Sequence, residues 1–386
     1  MNPARLSNWC LLAGIVAGFA LCVGEGHRAS RYSKPDGFRR FAQPISPDMQ
    51  YYPPYAMLEA LALARYAPGK TLVIVGGNSI FNGVSQPRND VWTLRLQSLL
   101  GERYVVVNLA FRGSHPAEGA ALVAEALQRR GLPVVFVTNT STVGGSGRAV
   151  GGPYAYLFWQ ARAAGRLAPY APREQALARW FASLKPADQE PHREAQLAGQ
   201  LESTLRPQSL WHHSAYRHFF TVWNSIQRAD SWQPRASIPD AEPRSLPLEL
   251  RFQHYLAEEM AIVRSFSAGL AERDAAGRWQ MNQDSLRPLG EGIEEAFVPE
   301  LRARTLVIIN QNAPYYRERL TAEERARDEF VAAACAQLWR DHGIACEVVG
   351  GDFAPIDFHD RTHLSVEGGN RLAEIVARRI TRLNPP

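Results

Sequence analysis

The amino-acid sequence predicts an α/β protein built on a parallel, doubly wound sheet. Short, continuously apolar runs rich in β-branched residues alternate with amphipathic stretches at helical spacing. Continuous apolar runs are typical of strands that are buried on both faces, as in parallel sheets. Small or polar residues directly follow each run, at the edge where such sheets bind ligands. Strands that alternate with helices need crossover connections, and these connections make the sheet parallel.

The N-terminal residues include an apolar segment that we expect to anchor the protein in a membrane. Residues 9–24 (WCLLAGIVAGFALCVG) carry no charged side chain. The run is short for a spanning helix and long for the apolar part of a signal peptide. No clean Ala-x-Ala cleavage site follows it. Residues 1–24 are therefore predicted to form an uncleaved signal anchor, a transmembrane helix with the rest of the chain outside the cytoplasm. Basic residues flank both sides of the run, so charge alone does not orient it.

The remaining chain divides into a linker and a domain in two parts. Residues 25–55 are polar and proline-rich, which predicts a linker. Residues 56–143 and 302–386 are predicted to form the sheet domain, separated by an insertion at 144–301. The predicted strands are Thr71–Val75, Tyr104–Leu109, Val134–Thr138, Thr305–Asn310 and Ala345–Val349. The predicted helices are Ala56–Tyr66, Val91–Leu100, Pro116–Arg130, Thr321–His342 and Ser365–Leu383.

The insertion is predicted to be helical and to cover the edge of the sheet that carries the polar residues. It begins with a glycine-rich stretch, becomes aromatic and arginine-rich, and is interrupted by a proline-rich segment at 234–247. His212, His213 and His218 lie within it. Their spacing does not place them on one helix face, and no carboxylate lies at ligand spacing. We therefore expect no metal site and no cofactor.

Composition narrows the class of protein. Hydrophobic residues make up 46% of the chain, enough for a packed core. The net charge is +5, and the basic residues are nearly all scattered arginines, so nucleic-acid binding is not expected. Two of the four cysteines, Cys335 and Cys346, lie at the end of a predicted helix and the start of a strand. A disulfide and two buried thiols are both compatible with their positions.

The loops after the first and last strands contain the parts of an acyl-transfer site. Ser79 follows the first strand, and Asp360 and His363 follow the last. A serine hydroxyl needs a base to become nucleophilic, and the imidazole of His363 can serve as that base. Asp360 can hold the imidazole in the right tautomer. His359 with Asp357 is an alternative pair in the same loop.

Three groups are candidates to stabilise the oxyanion of such a reaction. They are the backbone N–H of Ser79, the backbone N–H of Gly113 and the side-chain amide of Asn139. Taken alone, Ser79 is better explained as a capping residue in a glycine-rich turn, and Gly113 is equally well explained as a plain turn residue. The turn is not a phosphate-binding loop or a dinucleotide fingerprint, and Phe81 stands where a nucleophile elbow needs glycine. The combination of hydroxyl, imidazole and carboxylate favours catalysis.

These segments resemble the sequence blocks of SGNH (GDSL-type) hydrolases. Gly77–Gly83 is similar to the first block, with Asn78 where aspartate is usual. Asn108–Gly113 is similar to the second block, whose glycine supplies an oxyanion-hole N–H. Asp360–Gly368 is similar to the Asp-x-x-His block before the last helix. Val137–Thr140 stands where the family has Gly-x-Asn-Asp, and it lacks the glycine. The resemblance covers the two parts of the sheet domain and implies a flavodoxin-like sheet.

The resemblance also implies a function. The expected activity is that of a serine esterase or O-acyltransferase working through an acyl-serine intermediate. The anchor and the insertion resemble the membrane-anchored members associated with teichoic-acid D-alanylation and alginate O-acetylation. An acylated, mainly acetylated, cell-envelope carbohydrate is therefore the expected substrate, and a membrane-bound O-acyltransferase the expected partner. A lipid or small-ester esterase is one alternative. An inactive SGNH fold that binds a glycan or scaffolds the acyltransferase is another.

Overall fold

A computed structural model describes residues 8–18, 20, 55–87, 89–111, 114–141, 150, 152–184, 252 and 256–383. Its strands are β1 (Thr71–Val75), β2 (Tyr104–Asn108), β3 (Val134–Ser141), β4 (Ala271–Arg273), β5 (Trp279–Met281), β6 (Thr305–Asn310) and β7 (Ala345–Val349). Five of them form a sheet in the order β2-β1-β3-β6-β7. All of its neighbouring strands are parallel. The predicted α/β class and parallel sheet are therefore confirmed.

Helices precede, connect and follow these strands. In chain order they are α1 (Tyr55–Arg65), α2 (Ser79–Asn82), α3 (Trp92–Leu100), α4 (Ala120–Arg129), α5 (Gly152–Ala163), α6 (Ala171–Ala182), α7 (Leu256–Ser267), α8 (Gln283–Ala296), α9 (Pro299–Arg302), α10 (Pro314–Arg317), α11 (Ala322–Asp341) and α12 (Val366–Leu383). α11 begins with a capping box in which Thr321 and Glu324 satisfy each other's backbone N–H groups.

Helices cover both faces of the sheet. Leu72 and Ile74 of β1 belong to a core shared with α1, α4 and α11. Val73 and Val75 belong to the opposite core, shared with α3 and α12. Every residue of β1 is buried, which explains why its sequence is continuously apolar. Burying each such side chain stabilises the fold by roughly 1.5–3 kcal/mol.

The strand order determines where a site can form. The chain runs from β1 outward to β2, then crosses back over β1 to β3 and continues to β6 and β7. The winding direction therefore reverses between β1 and β3. At such a reversal the connections leave on opposite faces and open a crevice outside the carboxyl ends of the strands. Residues that follow β1, β3, β6 and β7 all lie at this edge.

Two predicted boundaries near that edge differ from the structure. β3 continues past Thr138 to Ser141, because its last residues pair with β6 up to Ser141 opposite Asn310. The helix predicted from Pro116 begins only at Ala120. The preceding residues form a turn. This turn is held by a hydrogen bond of 2.9 Å from the Thr138 hydroxyl to the carbonyl of Pro116. Both differences arise from pairing with a distant segment.

The described parts of the insertion are mostly helical, as predicted, but they include the antiparallel pair β4–β5, which was not. α5 and α6 pack into the core on the α4 face of the sheet. The predicted covering of the polar edge by the insertion stays a prediction, because residues 185–251 and 253–255 lie outside the described residues. The buried guanidinium of Arg173 on α6 donates two hydrogen bonds, of 2.7 and 2.9 Å, to Glu125 on α4. Leaving either charge alone in the core would be costly, so this pair fixes the insertion to the domain.

The predicted membrane anchor is not supported by the described residues. Residues 8–18 form a helix with exposed side chains. Within the described part of the chain, no helix combines the length and the apolar character needed to cross a bilayer. The rest of the predicted anchor, apart from residue 20, lies outside the described residues, as does the predicted linker up to α1. The anchor stays a prediction.

The two cysteines whose disulfide state the sequence left undecided are free, buried thiols. Cys335 lies on α11 and Cys346 on β7. Burial raises the pKa of Cys335 to about 11 and that of Cys346 to about 12. Both thiols therefore stay protonated near neutral pH and are poor nucleophiles. They contribute to the core as small apolar side chains.

Candidate active site

The structure brings together the serine, histidine and aspartate that the sequence singled out. Nε2 of His363 lies 2.8 Å from Oγ of Ser79. Nδ1 of the same ring lies 2.7 Å from Oδ2 of Asp360. The serine follows β1, and the other two residues follow β7. The three side chains thus form a continuous hydrogen-bonded relay at the carboxyl edge of the sheet.

The turn that presents Ser79 depends on glycine. Gly77 has φ +99°, a conformation that L side chains rarely adopt. A Cβ atom there would overlap with Oδ1 of Asn139 and lie 2.9 Å from its backbone nitrogen. A Cβ atom at Gly76 would lie 2.8 Å from that of Ala120. The serine can therefore follow β1 this closely only because Gly76 and Gly77 lack side chains.

α2 is held in place by side chains that the sequence analysis did not single out. Asn78 caps the helix, since its Oδ1 accepts from the backbone N–H of Ile80 at 3.0 Å. Asn108 at the end of β2 donates to the carbonyl of Phe81 at 3.1 Å, and the indole of Trp92 donates to the same carbonyl at 2.8 Å. The cap by Asn78 is a local signal that a sequence can carry, but the bonds of Asn108 and Trp92 to a distant backbone carbonyl are not visible in a single sequence.

The loop that carries Asp360 and His363 is closed on itself. Phe358 and Leu364 form an antiparallel bridge at its base. Above it, the backbone N–H of His359 donates to the carbonyl of His363 at 2.8 Å. Oδ1 of Asp360 accepts the backbone N–H groups of Thr362 at 2.9 Å and of His363 at 2.8 Å. The loop thereby orients its own carboxylate, leaving Oδ2 for the imidazole.

Asp360 stays ionised in this environment. Partial burial would raise its pKa, but the hydrogen bond and charge of the His363 ring, with the two backbone N–H groups, outweigh burial. The pKa of Asp360 is lowered to about 2. An ionised carboxylate accepts the Nδ1–H of His363, which leaves Nε2 as the acceptor for the proton of Ser79. The imidazole is therefore held in the tautomer that a general base requires.

The alternative pair of His359 and Asp357 is not assembled. The buried carboxylate of Asp357 accepts from the backbone N–H of Ala354 at 2.8 Å and from Arg371 on α12 at 2.7 Å. It therefore ties the loop before the site to the last helix. His363, rather than His359, contacts Ser79.

Asn139 lies beside the nucleophile, but its amide is fully engaged. Its Oδ1 accepts from the backbone N–H of Asn78 at 3.0 Å. Its Nδ2 donates to Oδ1 of Asn78 at 2.9 Å and to Oδ1 of Asn310 at 2.8 Å. Both amide hydrogens are thus used within the protein, and the side chain is completely buried. This arrangement positions the Ser79 turn, and the oxyanion role expected of Asn139 stays a prediction.

The other two oxyanion candidates differ in what the structure says about them. Within the described part of the chain, no group accepts a hydrogen bond from the backbone N–H of Ser79, at the first position of α2. It is available to a ligand. Gly113 lies outside the described residues, as do His212, His213 and His218.

Asn310 completes a chain of amides across the crevice that the sequence analysis missed. The chain runs from Asn78 after β1, through Asn139 in β3, to Asn310 at the end of β6. A polar residue that ends a buried strand was visible in the sequence as a signal. The identity of its partner was not, because 171 residues separate Asn139 from Asn310.

No protein-family model matches this chain, and no curated protein shows significant similarity to it.

Proposed function

We propose that the protein is an SGNH-type serine esterase or O-acyltransferase that works through an acyl-Ser79 intermediate. One observation carries the proposal, namely the relay from Ser79 Oγ to His363 Nε2 at 2.8 Å and from Nδ1 to Asp360 at 2.7 Å. The position of these three residues at the crevice of a sheet ordered β2-β1-β3-β6-β7 also supports the proposal. The assembled relay favours an enzyme over the alternative of an inactive scaffold.

In the first half of the reaction, Ser79 Oγ attacks the carbonyl carbon of the ester. His363 Nε2 takes the hydroxyl proton as the new C–O bond forms, and the carbonyl electrons move onto its oxygen. The backbone N–H of Ser79 is available to donate to that oxyanion, and we propose Gly113 as a second backbone donor. Asp360 stabilises the imidazolium. The oxyanion electrons then re-form the carbonyl as the bond from the carbonyl carbon to the ester oxygen breaks. His363 gives its proton to the departing alkoxide, which leaves as an alcohol, and acyl-Ser79 remains.

In the second half, an acceptor hydroxyl attacks the acyl-serine. His363 removes the acceptor's proton and delivers it to Ser79 Oγ as the acyl–oxygen bond breaks. Water as the acceptor makes the protein an esterase, and a carbohydrate hydroxyl makes it a transferase. We propose an acetylated cell-envelope carbohydrate as the substrate and a membrane-bound O-acyltransferase as the partner, by resemblance to the membrane-anchored SGNH proteins. A lipid or small-ester esterase is the second candidate.

A fluorophosphonate probe tests the proposed chemistry directly. The probe is expected to label the wild-type protein with one adduct per chain, located by peptide mass spectrometry at Ser79, and to leave Ser79→Ala unlabelled. Turnover of an aryl acetate, measured with and without added oligosaccharide, then separates hydrolysis from transfer. Folded wild-type protein that neither reacts with the probe nor cleaves aryl acetates would contradict the proposal and favour a binding role.

We further propose that residues 1–24 anchor the protein in a membrane with its domain outside the cytoplasm. The exposed apolar side chains of the helix at residues 8–18, including Trp9, Leu11 and Ile15, support this proposal because a bilayer would cover them. An alkaline phosphatase fused after residue 66, at the end of α1, should be active in cells. An inactive but stable fusion would place the domain in the cytoplasm.

A further inference from the structure

A side chain of the insertion reaches the loop that carries the acid–base residues. Arg361 lies between Asp360 and His363 in the sequence, and its Nε pairs with Oε2 of Glu259 on α7. Its Nη1 donates to Oδ1 of Asn312, just after β6, at 2.8 Å. One guanidinium thus links the catalytic loop both to the insertion and to the neighbouring strand end.

The backbone of the loop is held at the same point. The carbonyl of Arg361 accepts from the backbone N–H of Ala313 at 2.8 Å. Together with the Phe358–Leu364 bridge, this bond fixes the loop at its base and near its tip. The contacts of Arg361 therefore act where a small displacement of the loop would move the imidazole most.

The contact to Glu259 is partly withdrawn from water. The Arg361 side chain is 16% exposed and that of Glu259 is 31% exposed, while Asn312 is buried. An ion pair of this kind is less screened than a surface pair and adds directional hydrogen bonds. The Arg361–Glu259 pair is therefore suited to hold the loop in one position, whatever its net contribution to the free energy of folding.

The insertion makes a second contact beside the same loop. The hydroxyl of Tyr316 on α10 donates to the backbone carbonyl of Phe252 at 3.3 Å. The ring of Phe252 stacks on that of Tyr315, with the ring centroids 5.0 Å apart. The chain just before α7 is therefore seated on α10, which fixes the position from which Glu259 reaches Arg361.

We propose that Arg361 is a positioning residue and that the insertion, through Glu259, holds the Asp360–His363 loop in register with Ser79. The inference rests on the proposed function, because it concerns residues that hold the proposed catalytic groups in position. The 2.8 Å separation between His363 and Ser79 tolerates little movement, since displacements of about 1 Å at a reacting group can cost about 10²-fold in rate. The alternative is that the Arg361–Glu259 pair only stabilises the packing of the insertion against the sheet domain.

Kinetics of matched variants distinguish these two roles. Glu259→Ala and Arg361→Met are each expected to lower kcat by about ten- to a hundredfold, with KM changed by less than about threefold. Glu259→Gln keeps an acceptor for the guanidinium and should recover most of kcat. The double variant Glu259→Ala/Arg361→Met should be no slower than the worse single variant, because Arg361→Met already removes the contact with Glu259.

Arg264→Ala is the control. Arg264 is also on α7 and pairs with Glu324 of α11 at 3.3 Å, away from the catalytic loop. It should keep kcat within about twofold of wild type, at equal folded fraction by circular dichroism. Equal losses in Arg264→Ala, losses confined to KM, or additive losses in the double variant would overturn the positioning role.

A measurement that needs no turnover separates this inference from the proposed function. The ¹⁵N resonances of the His363 imidazole report its hydrogen bonds to Ser79 and Asp360. Glu259→Ala should shift or broaden them, and Arg264→Ala should not. If the wild type proves inactive, the proposed function fails, and these spectra alone decide the positioning role. Unchanged His363 resonances in Glu259→Ala would refute it.

Discussion

Replacing His363 with alanine is expected to lower kcat/KM for an aryl acetate by about 10⁴- to 10⁶-fold. The imidazole is the group that contacts the Ser79 hydroxyl, at 2.8 Å, so its loss leaves the serine protonated and unreactive. The ring is 22% exposed, and its removal opens a space that reaches solvent. Added free imidazole should therefore restore part of the activity, measured as a rate that rises with imidazole concentration.

His359→Ala is the matched control for this prediction. His359 lies in the same loop, and its contact with His363 is made by its backbone N–H, which alanine retains. The variant should keep kcat/KM within a few-fold of wild type. A large loss in His359→Ala together with a small one in His363→Ala would reverse the assignment and restore the alternative base.

Replacing Asp360 with asparagine is expected to lower kcat by about 10⁴-fold with little change in structure. Oδ1 accepts the backbone N–H groups of Thr362 and His363, so the asparagine oxygen must remain on that side. The amide nitrogen is then directed at Nδ1 of His363. Because an amide NH₂ can only donate, the ring must place its proton on Nε2, where it can no longer accept the proton of Ser79. Single-turnover rates of acylation should show the loss.

The pH dependence of stability provides a second test of Asp360. Its pKa in the folded protein, about 2, lies below the value of about 3.9 for an unfolded chain. The ionised carboxylate therefore contributes stability above about pH 4, and this contribution is lost as the pH falls towards 2. Urea unfolding of wild type and Asp360→Asn should differ near neutral pH and converge near pH 2. Asp357→Asn, which weakens a pair with Arg371, should lose stability without the acylation defect.

The sheet was readable from the sequence because its pattern is local. A strand buried on both faces must be mostly apolar, as β1 is from Leu72 to Val75, and such runs are visible one at a time. The antiparallel pair β4–β5 was missed because its strands have three residues each and only partial burial. Neither the length nor the periodicity of such short segments distinguishes them from a loop.

The candidate catalytic residues were also predictable, for a different reason. Ser79, Asp360 and His363 follow strands, and parallel strands direct their carboxyl ends to one edge whatever their order. The hydrogen bonds of Asn139 were not predictable in this way. Its placement beside the serine follows from β3, but the use of both its amide hydrogens depends on Asn78 and Asn310, which the strand pairing of β1, β3 and β6 brings to it.

The amino-acid sequence by itself thus determined the α/β class, the five parallel strands and the candidate acid, base and nucleophile, because burial and chain direction act on each segment separately. Only the tertiary structure decided that the thiols of Cys335 and Cys346 are not bridged, that Asp357 pairs with Arg371, and that Glu259 reaches the Asp360–His363 loop. These outcomes depend on which groups, distant in sequence, are packed next to each other in the folded chain. Most polar groups that leave water do so with a specific partner, and the packing of the chain determines which partner is within reach.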